Sequence, residues 1–159
     1  MTIRSARSED AAALARLAGE LGYPSTADEI LARIAALPPG DEVLVAESEG
    51  GVEAWIHLCI VVSLESAPFA EIRGLVVTES RRSTGIGAQL IRAAEAWASA
   101  RHVSRLRVRT NTIRKRTHVF YERCGFGLKK EQRVYEKRLS DPVAGASTIM
   151  RDREHGNVV

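Results

Sequence analysis

The sequence predicts one mixed layer of helices and strands, an α+β or α/β domain, and three observations predict it. Apolar residues recur at strand and helix spacing in the order β-α-α-β-β-β-α-β-α-β. No internal repeat or linker interrupts that order. The 159 residues are 45% hydrophobic and 27% charged, which suits a single core without staples. Aromatic residues make up only 5%, so the core is expected to be mostly Leu, Val, Ile and Ala.

Residues 2–6 read as a short first strand. Ser8 is placed to cap a helix, with Glu9 and Asp10 in its first turn. Leu14, Leu17, Ala18 and Leu21 form that helix's stripe, and Gly22 and Pro24 end it. Thr26 and Glu29 have capping-box spacing and open a second helix. Its stripe is Ile30, Ile34 and Leu37, and Pro38-Pro39-Gly40 stops it. Residues 42–48 and 52–62 read as strands about a Gly50-Gly51 turn, followed by a strand over 69–77.

A helix is expected over about 85–101, with Ile86, Leu90, Ile91, Ala94, Trp97 and Ala98 on one face. Residues 103–110 alternate Val or Leu with Arg, the pattern of a strand with one wet face. A helix over 114–123 aligns Thr117, Phe120, Tyr121 and Cys124. Gly125-Phe126-Gly127 then turns the chain into a last strand ending near Leu139. Residues 140–159 have no periodicity and are expected to be a mobile tail, which leaves 1–139 as the folded domain.

The formal net charge is only +3, but it is unevenly spread. Between Arg101 and Arg138, thirteen Lys and Arg stand against three Glu, a local balance of +10. Such a field favours an anionic ligand, either a phosphorylated cofactor or a nucleic acid. Few aromatics interleave with these cations, so an RNA-type stacking platform is not evident, and this argues against nucleic acid. Cys59 and Cys124 form no CxxC pair, and no apolar run approaches a membrane span. No signal-peptide pattern follows Met1, so a cytoplasmic protein without membrane attachment is expected.

The sharpest feature is the run Arg81-Arg82-Ser83-Thr84-Gly85-Ile86-Gly87-Ala88 between a strand and a helix. A helix N-terminus carries unsatisfied N–H groups and partial positive charge, and glycines let a ligand approach the backbone closely. Such a turn can cradle a diphosphate, or it can be a plain connection. It lacks the third glycine of a dinucleotide fingerprint and the Gly-Lys-Ser/Thr of a P-loop.

Arg82-x-x-Gly85-x-Gly87 resembles the R/Q-x-x-G-x-G/A signature of the GNAT N-acetyltransferase superfamily. The preceding run from Phe69 to Val77 looks like that family's fourth strand. Asn111, Arg114 and His118-x-Phe120-Tyr121-Glu122-x-x-Gly125-Phe126 are similar to its fifth-strand end and the helix after it. The resemblance spans about residues 2–139. It departs at Ser83 and Thr84, where many members have Gly and a basic residue, and at Thr117, where many have Ala.

The resemblance implies a mostly antiparallel twisted sheet, splayed between strands 4 and 5, with helices on both faces. It implies acetyl-CoA as co-substrate, no metal, and direct transfer to a primary amine in a ternary complex. The phosphates would be held by Arg82, Ser83, Thr84, Gly85, Ile86, Gly87 and Ala88. Leu75, Val76 and Val77 would pair through their backbone with the pantetheine arm, or serve only as core strand, or both.

Tyr121 corresponds to the tyrosine that commonly protonates the departing thiolate, although it could simply pack under the sheet. Glu71 lies fourteen positions before Gly85, a spacing like that of the catalytic glutamate in histone-type members. It would act as general base or be a surface carboxylate paired with Arg73. Asn111 would bind the pantetheine or cap the following helix. His118 reads as structural, and Cys124 and Cys59 as small packed residues rather than covalent carriers. The acceptor would be a small-molecule or peptide amine, drawn by carboxylates such as Glu20, Asp28, Glu29 or Glu65, with Tyr23 near its pocket. Homodimers through the C-terminal strand, with Val134 and Tyr135 at the edge, are a further implication. The rival reading keeps the fold and phosphate turn but makes the protein a non-catalytic acyl-CoA sensor.

Overall fold

The computed structural model describes residues 1–139. The expected tail over 140–159 lies outside the described residues. Among the described residues the strands and α-helices are β1 (Thr2–Ser5), α1 (Ala11–Glu20), α2 (Ala27–Ala35), β2 (Glu42–Ser48), β3 (Gly51–Ser63), β4 (Ser66–Val77), α3 (Ile86–Ser99), β5 (Leu106–Val108) and α4 (Lys115–Arg123). One five-stranded sheet runs in the order β1-β2-β3-β4-β5. The first four strands are antiparallel neighbours, whereas β5 lies parallel to β4 after the crossover through α3.

The local chemistry of the helices is legible. Thr26 Oγ1 accepts from Glu29 N–H at 3.2 Å, and Glu29 accepts in return from Thr26 N–H at 2.9 Å, which completes the capping box of α2. The start of α1 differs from expectation. Ser8 lies inside a short 3-10 turn, and the Asp10 carboxylate accepts from Arg7 N–H at 2.7 Å. Asp10 is buried and is also gripped by both terminal nitrogens of Arg4, at 2.8 and 2.9 Å. This holds its carboxyl below the usual carboxylate range, the Arg4 hydrogen bonds being the main cause. Asp10 precedes α1, but its carboxylate is turned to Arg4 and Arg7 N–H and makes no side-chain cap bond to the helix.

Two apolar clusters sandwich the sheet. The larger unites Ile56, Leu58, Ile72, Leu75, Ile86, Leu90, Ile91 and Tyr121 beneath α3 and α4. The other places Leu14, Leu17 and Leu21 of α1 against Val45, Val52 and Val76, with Ile30 and Ile34 of α2 at its margin. Each fully buried Leu or Ile contributes about 1.5–3 kcal/mol.

Two strand expectations fail. The fifth strand is only three residues long, because Val103 N–H bonds back to Ala98 O and His102 turns the chain at φ +57. The last strand does not form: residues 128–139 carry no regular structure and are all exposed. A strand needs a ladder of partners, and the described residues supply none there.

Candidate active site

The turn ahead of α3 is built by unusual backbone conformations. Ser83 sits at φ +64 and Gly85, the residue preceding the helix, at φ +89, both in the left-handed region that favours glycine. Thr84 Oγ1 donates to Arg81 O at 2.6 Å, and Arg82 Nε donates to Val77 O at 3.3 Å, so side chains fold the turn onto its own backbone. Gln89 N–H is bonded to Gly85 O. Helix geometry therefore leaves the N–H groups of Ile86, Gly87 and Ala88 without intrahelical acceptors. No side chain caps α3 and no acidic residue stands in its first turn, in contrast with the boxed start of α2. The positive end of α3 is thus directed at the space before Gly85.

Beside this turn the sheet opens. The β4–β5 ladder runs only from Ala70↔Leu106 to Ile72↔Val108. On the other side, Leu58 pairs with Ile72 and His57 with Gly74, so Arg73 is the extra residue of a bulge. Gly74 is required there, since a Cβ would meet the Trp55 ring at 2.8 Å. Beyond the bulge Leu75, Val76 and Val77 have buried side chains, and sheet pairing continues only to β3.

Tyr121 lies in the core cluster with Ile72 and Leu75, on either side of the point where the ladder ends. Its ring meets Phe120 and Phe126 edge-on, with centroids at 5.2 and 5.3 Å. The phenol oxygen is buried and has no hydrogen-bond partner among the described residues. Burial pushes its pKa well above the ordinary phenol value and keeps it protonated.

Glu71 alternates with Ile72 and so points to the opposite sheet face, next to Cys59, its cross-strand partner. It is only 3% exposed. Arg73 approaches one carboxylate oxygen at 3.4 Å, as the sequence suggested, and Arg109 approaches the other at 3.2 Å. Arg73 also donates from Nε to Cys59 Sγ at 3.2 Å. Burial pushes the Cys59 and Cys124 thiols up, which disfavours thiolate nucleophiles.

Other expected residues stand elsewhere. Asn111 is exposed, and its Oδ1 accepts from Ile113 N–H at 3.1 Å, in the turn before α4 rather than as the α4 cap. His118 Nε2 bonds Asn111 O at 3.0 Å, a structural role. Glu20 accepts from Thr78 and from Glu79 N–H, and so braces the turn after β4. Glu29 is spent in the α2 cap, whereas Asp28 and Glu65 are exposed. Tyr23 packs at the margin of the α1–α2 cluster.

Sequence reasoning missed the Arg109–Glu71 pair. The alternation of Arg105, Arg107 and Arg109 carried the signal, since one strand face must present all three. It also missed the left-handed Ser83, which no side-chain pattern announces.

A family model described as the acetyltransferase (GNAT) domain matches residues 39–127. Among solved structures, the chain is similar to an aminoglycoside antibiotic 6'-N-acetyltransferase from Acinetobacter haemolyticus, at 20% identity and a TM-score of 0.76, with 88% of this chain and 100% of that chain covered. It is similar to a candidate acetyltransferase from Agrobacterium tumefaciens strain C58, at 29% identity and a TM-score of 0.77, covering 86% of this chain and 100% of that one. A third similar structure is AAC(6')-Iy in complex with the bisubstrate analogue CoA-S-monomethyl-acetylneamine, at 20% identity and a TM-score of 0.76, covering 87% and 98%. No curated protein matches the chain.

Proposed function

The chain belongs to the GNAT acetyltransferase family, and from that premise we propose that it moves the acetyl group of acetyl-CoA to a primary amine by direct attack in a ternary complex. The observation that carries this reading is the uncapped, acid-free N-terminus of α3 beside the unpaired stretch of β4. A diphosphate would fill the open N–H groups of Ile86, Gly87 and Ala88, with Arg82, Ser83, Thr84 and Gly85 shaping the turn. Leu75, Val76 and Val77 would offer their free backbone edge to the pantetheine amides. Asn111 would reach the same arm, although its turn role competes.

When bound, the thioester supplies an activated acetyl carbon and a good leaving group. The protein then has to hold an amine in line and manage two protons. In the proposed step a C–N bond forms and the C–S bond breaks. The amine proton passes to the Glu71 carboxylate, directly or through water, and the departing sulfur takes the proton of Tyr121. Burial penalises the phenolate and the thiolate alike, so the raised pKa of Tyr121 does not by itself oppose the transfer.

The acceptor is proposed as a small-molecule or peptide amine, a reading supported by the fold shared with aminoglycoside acetyltransferases. Incubation with acetyl-CoA and a panel of amines should release free CoA, read with a thiol reagent. Binding of acetyl-CoA with no release across the panel would instead favour the non-catalytic sensor.

Residues 128–139, with Val134 and Tyr135 at 82% and 83% exposure, support a homodimer in which this segment finds a partner strand. Sedimentation should show twice the single-chain mass, and a single-chain species at all concentrations would remove the dimer. Among the described residues no helix is long and apolar enough to cross a membrane. The free thiols Cys59 and Cys124 support a reducing, cytoplasmic setting, which fractionation of expressing cells checks.

A further inference from the structure

From the contacts of Glu20 we infer that this residue, at the C-terminal end of α1, is a positioning residue for the cofactor: its carboxylate sets the turn that holds the diphosphate. This rests on the reading of the α3 N-terminus as a diphosphate site and adds the group that fixes its geometry.

Glu20 closes α1, and no basic residue stands in that helix's last turn. A carboxylate there opposes the negative end of the helix. It also brings negative charge toward a site proposed for an anion. Neither helix formation nor anion binding accounts for it, whereas its contacts do. Oε2 accepts from Glu79 N–H at 2.7 Å. Oε1 accepts from the Thr78 hydroxyl at 2.9 Å and from Arg16 Nη1 at 2.8 Å. Burial alone would push this carboxyl up. The Glu79 N–H and the Thr78 hydroxyl outweigh it and hold the group below the usual carboxylate range, so it stays charged.

An unbroken chain of hydrogen bonds leads from Glu20 to the diphosphate turn. Thr78 N–H donates to Glu53 O at 2.8 Å, which ties the held segment to β3 as well as to α1. Arg81 N–H donates to Thr78 O at 3.0 Å, and Arg82 N–H to Glu79 O at 3.3 Å. The two residues that Glu20 grips are thus the two that carry Arg81 and Arg82. The Thr84 hydroxyl in turn donates to Arg81 O at 2.6 Å, directly before Gly85. Between them Ser83 holds φ +64, a conformation that persists only where its surroundings fix it. Glu20 supplies that anchorage from the helix side. Arg16 completes the clamp: its Nη2 donates to Val52 O at 3.0 Å, and its Nη1 also reaches Thr78 Oγ1 at 3.3 Å. Its charge offsets the Glu20 carboxylate, so the clamp holds the turn without repelling the phosphates.

The test uses the full chain and two probes, CoA and pantetheine, which lacks the diphosphate. Titration calorimetry reads the affinity of each, and the thiol assay reads turnover of acetyl-CoA. Glu20→Gln keeps the shape of the side chain but removes its charge and one acceptor. It should weaken CoA about tenfold, leave pantetheine within about twofold, and raise the acetyl-CoA KM without lowering kcat. The sign of the change discriminates. If the carboxylate were only a nearby charge, its removal would let CoA bind tighter. Unchanged or tighter CoA binding would overturn the inference, and so would an equal loss for both probes, which general loosening of the fold would give. If Glu20→Gln does not fold, Thr78→Val removes the hydroxyl arm while keeping a β-branched side chain, and it must show the same selective loss of CoA. The selective loss without CoA release from any amine would leave this role standing and remove the transfer reading. Full turnover with unaltered CoA affinity in the variant would remove the inference alone.

Discussion

Replacing Tyr121 with Phe is expected to lower kcat by about 10²- to 10⁴-fold, the usual contribution of a positioned general acid, with acetyl-CoA affinity nearly unchanged. The same change should raise thermal stability. The Tyr121 oxygen is buried without a partner among the described residues, and such a group costs about 1–3 kcal/mol of desolvation. Removing it while the ring keeps its edge-on contacts with Phe120 and Phe126 leaves the packing intact. A gain of 1 kcal/mol in a chain of this size corresponds to about 2–4 °C in Tm.

The advantage should widen in alkali. Burial raises the folded-state pKa of Tyr121 above its unfolded value, so the folded protein holds this proton while the unfolded chain releases it above about pH 10. The native protein therefore loses stability through Tyr121 as pH rises past that point, and Tyr121→Phe does not. Melting curves from pH 8 to 11, with steady-state rates at pH 8, read both effects. A stabilised variant with unchanged kcat would mean that Tyr121 only packs beneath the sheet.

The second large effect is at the turn. Gly85→Asp is expected to weaken acetyl-CoA binding about tenfold to a hundredfold relative to Gly85→Asn. Asn and Asp are among the side chains that tolerate the left-handed conformation held by Gly85 at φ +89, and a Cβ there meets nothing within 4 Å. Both variants should therefore fold, with similar strain. At the mouth of α3 a carboxylate favours the helix itself, so Gly85→Asp should be at least as stable as Gly85→Asn. Toward a diphosphate it is a like charge at close range, worth about 1–3 kcal/mol in a partly screened setting. Stability and affinity then move in opposite directions. Thermal melts and binding titrations on the pair separate them, and equal affinities would show that no anion sits at this helix end.

The parts legible in the sequence are those decided by near neighbours. The Thr26–Glu29 box, the bounds of β2 and the apolar stripe of α3 rest on hydrogen bonds and periodicities a few residues long. The glycine turn was legible as a strand-to-helix connection, and Tyr121 was singled out only by its place in the family-like motif ahead of Gly125. What stayed hidden depends on distant chain. β5 stops at Val108 because β4 bulges at Arg73, thirty-odd residues away, a register fact with no local mark. The alternation in 128–139 suggested a strand, yet alternation does not name the partner a strand requires. Glu71 could be paired with Arg73 on its own strand by counting. Its second partner, Arg109, became visible only once β5 lay parallel beside β4.

Titration calorimetry of the unaltered full chain with acetyl-CoA is the most direct measurement. The N–H groups at the start of α3 and the free edge of β4 require saturable one-to-one binding that Gly85→Asp diminishes. No detectable heat, together with no rise in Tm at millimolar acetyl-CoA, would contradict the site, and with it the roles given to Glu71 and Tyr121.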